Sequence, residues 1–132
     1  MIEKSGLLYV RDNCILLCRK KKGTQLLILP GGKREANESP LECLAREIKE
    51  ELGALDAIDP VHIGSYTHAA AGKEGKTVHI ELFQAELSGD PRAQSEIAEL
   101  VWFGPSDDRA RLAPSIDRKI LPDLIARGLL AW

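Results

Sequence analysis

Three glutamates, Glu47, Glu50 and Glu51, have a spacing that places their side chains on one face of a helix. A helix turns by about 100° per residue, so the three carboxylates point within about 100° of one another. Like charges at this spacing repel by roughly 0.2–0.5 kcal/mol per pair, and a cation would offset that cost. Carboxylate oxygens are the ligands that Mg²⁺ prefers, and the ion usually keeps places for water and substrate phosphate. The trio therefore predicts magnesium-dependent phosphate chemistry, with a solvated acidic face as the alternative.

A glycine turn is predicted upstream of the three glutamates. Pro30, Gly31 and Gly32 predict the end of a strand and a backbone that approaches an ion or a phosphate closely, because glycine carries no side chain. Lys33 and Arg34 follow directly and are candidate contacts for phosphate oxygens, with surface solvation as the alternative. The sequence therefore predicts substrate binding next to the metal site.

A single helix must carry the three glutamates, and both of its ends are marked. Ser39 is placed to be the N-cap, Pro40 suits the first helical position, and Glu42 completes a capping box. Gly53 supplies the stop. Apolar residues occupy a separate face of the helix and are predicted to pack against the rest of the protein: Leu41, Leu44, Ala45, Ile48 and Leu52.

Strands are predicted on both sides of this helix. An apolar segment at 7–18 and a second at 24–29 predict a hairpin whose tip is the basic stretch 19–22, followed by Gly23. The basic stretch is interpreted as a solvated turn, with phosphate contact as the alternative. The remaining predicted elements are strands over 61–66, 77–87 and 99–103, and an amphipathic helix over 115–130 that Pro122 either kinks or restarts.

Residues 32–54 resemble the Nudix box, the signature G-x5-E-x7-R-E-U-x-E-E-x-G-U of the MutT-like Nudix hydrolases, in which U is an apolar residue. Every fixed letter is present, and only Ala54 is small for its apolar place. From average residue usage, the invariant letters would coincide by chance on the order of once in 10⁸ windows. The matching residues are Gly32, Glu38, Arg46, Glu47, Ile48, Glu50, Glu51, Gly53 and Ala54.

The order of the predicted elements also resembles the family fold. The resemblance implies an α/β/α sandwich around a mixed β-sheet, and the chain length suits a single domain over residues 1–132. The resemblance further implies hydrolysis of the pyrophosphate bond of a nucleoside diphosphate linked to another moiety, with Mg²⁺ or Mn²⁺ as cofactor. A catalytically silent nucleotide-binding sensor and an isoprenyl diphosphate isomerase are the alternative functions.

The resemblance also implies roles for the residues of the box. Glu50 and Glu51 are the principal metal ligands, the Gly32 carbonyl completes the coordination, and Glu47 either binds metal or helps to activate water. Arg46 orients the carboxylates by ion pairing. Glu47, Glu50 and Arg46 are therefore predicted to act in catalysis.

A further glutamate is expected from outside the box. Glu96 lies six residues before Trp102 and resembles the position of an extra catalytic or metal-binding glutamate in some family members. Glu99 and the more distant Glu81 are its rivals, and an ordinary solvated carboxylate is the alternative for each. Glu38 belongs to the box but precedes the helix, so it is predicted to bind backbone amides of the loop.

Composition limits the partners of this chain. The 132 residues carry a net charge of −2, which argues against an extended nucleic-acid surface or binding to an anionic membrane. No apolar run approaches the roughly 18 residues of a membrane span, and the first residues lack a signal-peptide pattern, so a cytoplasmic location is expected. The expected partner is a small nucleotide or nucleoside diphosphate derivative, chosen by loops at 69–76 and 107–114. A homodimer is one oligomeric state that the sequence leaves open.

Overall fold

The computed structural model describes residues 1–70 and 72–132. Its strands are β1 (Ile2–Leu8), β2 (Val10–Arg11), β3 (Cys14–Lys20), β4 (Gly31–Lys33), β5 (Ala57–Ala69), β6 (Thr77–Leu87) and β7 (Ile97–Phe103). Its α-helices are α1 (Pro40–Glu51) and α2 (Leu121–Ala126), and α2 is preceded by a 3₁₀ turn at Arg109–Arg111 and a π-helical turn at Ile116–Ile120. None of the helices in this described part is both long and apolar enough to cross a bilayer.

The strands form a mixed sheet and an antiparallel sheet. The mixed sheet has the order β4-β1-β6-β5, with β1 parallel to β6 and the other neighbours antiparallel, and the second sheet has the order β2-β3-β7. Because side chains alternate along a strand, Leu7 packs in one core with Ile48 of α1, whereas Leu8 packs in a second core with Leu124 of α2. This layering of helix, sheets and helix confirms the predicted α/β/α sandwich.

The helix α1 begins and ends where the sequence predicts. Ser39 Oγ accepts a hydrogen bond from the Glu42 backbone N at 3.1 Å, and Glu42 Oε1 accepts one from the Ser39 backbone N at 2.9 Å, so the capping box is complete. Gly53 follows the helix with a φ of +94°, a conformation that favours glycine. Leu44, Ile48 and Leu52 are buried as predicted, whereas the predicted packing residues Leu41 and Ala45 are exposed, because Leu41 lies in the first turn and Ala45 lies at the edge of the apolar face.

The glycine segment forms a short strand instead of the predicted turn. β4 pairs antiparallel with β1, and Gly31 is paired with Gly6 at a φ of +137°. A Cβ at Gly31 would lie 2.0 Å from the Ser5 carbonyl oxygen, so only glycine permits this approach. The predicted turn was wrong because the pairing partner, β1, is distant in sequence and no local signal indicates it.

The first two predicted strands were wrong in detail. Asp12 and Asn13 adopt left-handed φ values of 52° and 62° and form a turn between β2 and β3, so the first apolar segment is divided among β1, β2 and β3. Asn and Asp take up this conformation more readily than other side chains do. The second apolar segment lies outside regular strands and meets β3 through a bridge between Cys18 and Ile28. Both segments are apolar because they pass through the core. Composition alone does not distinguish such a core segment from a regular strand.

The later elements follow the prediction with changed bounds. β6 has the predicted range, whereas β5 begins earlier and ends later and β7 begins earlier, because their pairing with β6 and β3 continues beyond the predicted bounds. The predicted helix over 115–130 is shorter and is divided into the π-helical turn and α2, with Pro122 in the first turn of α2. The predicted loop at 69–76 follows β5 from residue 70 onward, because Ala69 still pairs within the strand, and Ala71 lies outside the described residues.

The capping box makes the start of α1 testable. Replacement of Ser39 by Ala should lower the free energy of unfolding by about 0.5–2 kcal/mol, because the Glu42 amide loses its acceptor. Thermal denaturation should report this loss as a lower Tm. Ser39→Asp keeps an acceptor at the same place and should retain the Tm of the parent protein, so an unshifted Tm in the Ala variant would contradict the cap.

Candidate active site

Glu51 is the buried member of the carboxylate trio. The residue is 4% exposed, and its Oε1 accepts a hydrogen bond from the Gly31 backbone N at 2.8 Å. Burial raises the pKa of Glu51 to about 7; the Gly31 amide opposes this shift, whereas the nearby charge of Glu47 adds to it. A cation beside Glu51 would stabilise the charged carboxylate. The last turn of α1 therefore presents a buried carboxylate that is suited to a positive ligand.

Glu47 lies directly against the backbone of β4. A Cβ added at Gly32 would stand 2.4 Å from Glu47 Cδ, so the carboxylate occupies the space that any other residue at position 32 would need. Burial raises the pKa of Glu47, while the Arg46 guanidinium acts against that rise. The Gly32 carbonyl accepts a hydrogen bond from Cys43 Sγ at 3.3 Å. The structure thus brings the backbone of Gly32 and the carboxylate of Glu47 together, as the sequence predicts.

Arg46 holds the acidic residues in place. Its Nε donates to Glu38 Oε2 at 2.7 Å, one terminal nitrogen donates to Glu47 Oε1 at 2.9 Å, and the other donates to the Lys33 carbonyl at 3.0 Å. The same guanidinium holds the pKa of Glu38 low, at about 2. Glu38 Oε1 also accepts from the Glu35 backbone N at 2.9 Å, which agrees with its predicted structural role. Arg46 therefore joins β4, the loop and α1 around the carboxylates.

The carboxylates converge on a small cavity of about 60 Å³. Its walls are formed by Glu47, Glu50, Glu51, Ser95 and Glu96. Glu50 is exposed on α1 and lies 3.7 Å from Arg46, and Glu96 reaches the cavity from the loop before β7. The structure therefore places Glu96 beside the predicted trio.

The two rivals of Glu96 lie elsewhere. Glu99 accepts a hydrogen bond from Arg19 Nε at 3.0 Å, on the paired strands β3 and β7. Glu81 lies on the face of β6 opposite the cleft-lining Ile80, because side chains alternate along the strand. There it is held by other side chains of the mixed sheet: His62, Ser65 and His79. Neither rival is brought to the carboxylates of α1.

The carboxylate oxygens without a protein donor are the ones available to a metal ion. Glu47 and Glu51 each use Oε1 for a protein donor, which leaves Oε2 of both side chains for a ligand. As they stand, no three His, Cys, Asp or Glu side chains in residues 1–70 and 72–132 are grouped closely enough to hold a metal ion. Glu47, Glu50 and Glu51 line the cavity with carboxylate oxygens, the kind of donor that suits Mg²⁺.

A larger cleft of about 550 Å³ adjoins this cavity. Glu47, Glu51 and Glu96 belong to both, so the carboxylates stand at the end of the cleft. The predicted phosphate contact Lys33 lines the cleft. Arg34 does not line it and instead lies 3.6 Å from the Glu3 carboxylate. Of the two predicted substrate contacts, the structure therefore brings only Lys33 to the site.

Sequence reasoning missed several cleft residues. Lys4, Lys20, Lys22 and Lys73 line the cleft together with Lys33. Alternation along β1 was the available signal for Lys4, because it shares a face with apolar and glycine positions of that strand. Lys20 and Lys22 belong to the basic stretch that was interpreted as a solvated turn, and Lys73 lies in the loop expected to choose the substrate. Their convergence depends on three distant segments.

Comparison with known proteins agrees with the fold and with the box. A model of the NUDIX domain matches residues 3–124. The ADP-ribose pyrophosphatase of Methanocaldococcus jannaschii is 30% identical over 95 residues, a match that covers 70% of this chain and 56% of that protein. The CTP pyrophosphohydrolase of Escherichia coli is 30% identical over 111 residues, covering 81% of this chain and 78% of that protein. The chain thus spans little more than half the length of the archaeal relative.

A solved structure shows the same architecture. The solution structure of the Escherichia coli ORF135 protein superposes with a TM-score of 0.76 at 28% sequence identity, covering 98% of this chain and 92% of that one. The match to the family model extends well beyond the box, from β1 to α2. Both findings agree with the box residues that β4 and α1 bring together, and this chain belongs to the Nudix hydrolase family.

Proposed function

We propose that this chain is a metal-dependent pyrophosphohydrolase that cleaves the pyrophosphate bond of a nucleoside diphosphate linked to another moiety. The observation that carries the proposal is the convergence of Glu47, Glu50, Glu51 and Glu96 on one small cavity at the end of a lysine-lined cleft. Carboxylates suit a divalent cation, and lysines suit phosphate. The site therefore offers a place for the metal ion next to a place for the phosphates of the substrate.

The proposed residue roles follow from the contacts. Glu50 and Glu51 would bind the ion, and the Gly32 carbonyl of β4 would complete its coordination. Glu47 Oε2 either binds the ion or takes a proton from the attacking water, since its Oε1 is held by Arg46 at 2.9 Å. Arg46 keeps these carboxylates oriented. A bound divalent ion would neutralise phosphate charge and make a nearby water easier to deprotonate.

The family supports the metal and the kind of substrate. Nudix hydrolases generally use divalent metal ions, and we propose Mg²⁺, with Mn²⁺ as a substitute, because the available donors are oxygens. The relatives named above act on ADP-ribose and CTP according to their names, and both compounds contain a nucleoside diphosphate unit. We therefore propose a small nucleotide derivative as the substrate of this chain.

Glu50→Gln tests the metal site with little risk to the fold, because Glu50 is exposed and makes only a long contact to Arg46. With Mg²⁺ present, kcat should fall by about 100-fold or more, since one charge is lost from the metal-binding set. The measurement is release of nucleoside monophosphate from CTP, ATP and ADP-ribose, with Tm as the check on folding.

Glu86→Gln is the matched control for that experiment, because Glu86 is an exposed carboxylate on β6 that does not line the cavity or the cleft. It should keep the turnover of the parent protein. Unchanged turnover in Glu50→Gln would sink the site assignment. Product mass also separates the alternatives, because a silent sensor forms no product and an isomerase rearranges its substrate without adding water.

Glu96 and Glu99 provide a paired test of the residue outside the box. Glu96→Gln should lower kcat by about tenfold or more and raise the Mg²⁺ concentration needed for half-maximal activity, because the cavity loses a carboxylate. Glu99→Gln should leave both values unchanged, since Glu99 faces Arg19. If a Mg²⁺ titration showed these losses in Glu99→Gln and none in Glu96→Gln, Glu99 rather than Glu96 would be the glutamate that completes the site.

Gly32→Ala tests the close approach of β4 to α1. The added Cβ would displace the Glu47 carboxylate, and a displacement of about 1 Å at a catalytic group costs on the order of 100-fold in rate. Steady-state kcat and Tm should be measured together. Gly89→Ala is the control, because its Cβ meets only the flexible end of Leu55 at 3.1 Å. Full activity in Gly32→Ala would show that the approach is not required.

A further inference from the structure

The cleft carries a charge of opposite sign to the chain as a whole. Five lysines line it, defined here as the lysine wall: Lys4, Lys20, Lys22, Lys33 and Lys73. Three carboxylates, those of Glu47, Glu51 and Glu96, line the same cleft, so the lining has a formal excess of two positive charges. The complete chain has a net charge of −2. Positive charge is therefore concentrated where the substrate is expected to bind.

Most of the lysine wall has no acidic partner within the protein. Among residues 1–70 and 72–132, Lys4, Lys22, Lys33 and Lys73 form no ion pair, whereas Lys20 lies 3.9 Å from Glu96. Lys33 and Lys73 line the same cleft, and the Lys33 charge lowers the pKa of Lys73. Burial lowers the pKa of Lys4, and the charges of Lys20 and Lys73 add to that effect. These ammonium groups repel one another, and an anion in the cleft would relieve the repulsion.

We propose that the lysine wall binds the triphosphate chain of a nucleoside triphosphate, and that the protein prefers such substrates to diphosphates joined to an uncharged group. The inference rests on the proposed function and names its substrate class. Lys4 and Lys73 are its specificity-determining residues outside the Nudix box, one on the floor of the cleft in β1 and the other on the loop before β6.

The magnitude of the charges favours the triphosphate. A terminal phosphate has a second pKa near 6, so a nucleoside triphosphate carries about four negative charges, whereas a diphosphate esterified at both ends carries about two. The lysine excess alone neutralises the second kind of substrate. Glu50 of the adjoining cavity contributes one negative charge and a divalent cation held by the carboxylates of α1 would contribute two positive ones, so cleft and ion together would have an excess of positive charge larger than the diphosphate can neutralise. A nucleotide sugar would leave that surplus uncompensated.

The rest of the cleft suits the nucleoside. Apolar side chains from β6, the segment before β4 and the π-helical turn line it beside the lysine wall, including Leu29, Ile80 and Ile116. Ligand sites commonly combine such apolar walls with a few placed charged groups. In the corresponding hydrolysis, one water adds across a P–O–P bridge, the bond to the bridging oxygen breaks, and nucleoside monophosphate and pyrophosphate leave with the water's two hydrogens shared between them.

Calorimetric titration in metal-free buffer tests the lysine wall without depending on turnover or on the base. Inorganic tripolyphosphate should bind the parent protein about tenfold more tightly than pyrophosphate. Lys4→Gln and Lys73→Gln should each weaken tripolyphosphate binding by about tenfold or more, because a charge-assisted contact is lost. Lys21→Gln is the matched control, because it removes the same lysine charge from a residue that does not line the cleft.

Activity then tests the substrate class. With Mg²⁺, the kcat/KM of the best nucleoside triphosphate substrate should exceed the kcat/KM of ADP-ribose. The ratio of the two values should fall in Lys4→Gln and Lys73→Gln but not in Lys21→Gln. Equal binding of tripolyphosphate and pyrophosphate, or an equal loss in Lys21→Gln, would overturn the inference. So would a ratio below one in the parent protein. Absence of any hydrolysis is a separate result that contradicts the proposed function, because the titration does not require catalysis.

Discussion

The site depends on how closely the backbone of β4 approaches both β1 and α1. Gly31 meets the Ser5 carbonyl of β1, and Gly32 meets the Glu47 carboxylate of α1, at distances that leave no room for a Cβ. The Gly31 amide also donates to Glu51 at 2.8 Å. Two adjacent glycines therefore join the mixed sheet to the helix that carries the acidic residues. Without this contact, the carboxylates of α1 and the backbone of β4 would not lie next to each other at the same cavity.

Such a contact brings an electrostatic cost that Arg46 partly offsets. Glu47 and Glu51 lose solvation when α1 packs on β4, and burial raises the pKa of both. Arg46 donates to Glu38 and Glu47 and so supplies positive charge at one edge of the cluster. The remaining edge faces the cleft, where a cation can approach. The protein thus tolerates an unfavourable acidic cluster at the place where a positive ligand is useful.

Local signals predicted α1 well and the strands less well. The capping box of Ser39 and Glu42 and the stop at Gly53 act through neighbours in sequence, so a helix and its ends are readable from the chain. Strand pairing joins distant segments, and the turn at Asp12 and Asn13 was hidden inside an apolar run. The segment of β4 was predicted as a turn because its pairing partner, β1, is not adjacent in the chain.

The sequence by itself determined the box, the helix that carries it and the family to which the chain belongs, because these depend on residue types at fixed local spacing. Only the tertiary structure decided which residues outside the box reach the site. It brought Glu96 to the carboxylates and Lys4 and Lys73 to the cleft, and it set Arg34 apart beside Glu3. These side chains come from a strand and loops that are distant in sequence, and their positions depend on sheet pairing and strand alternation.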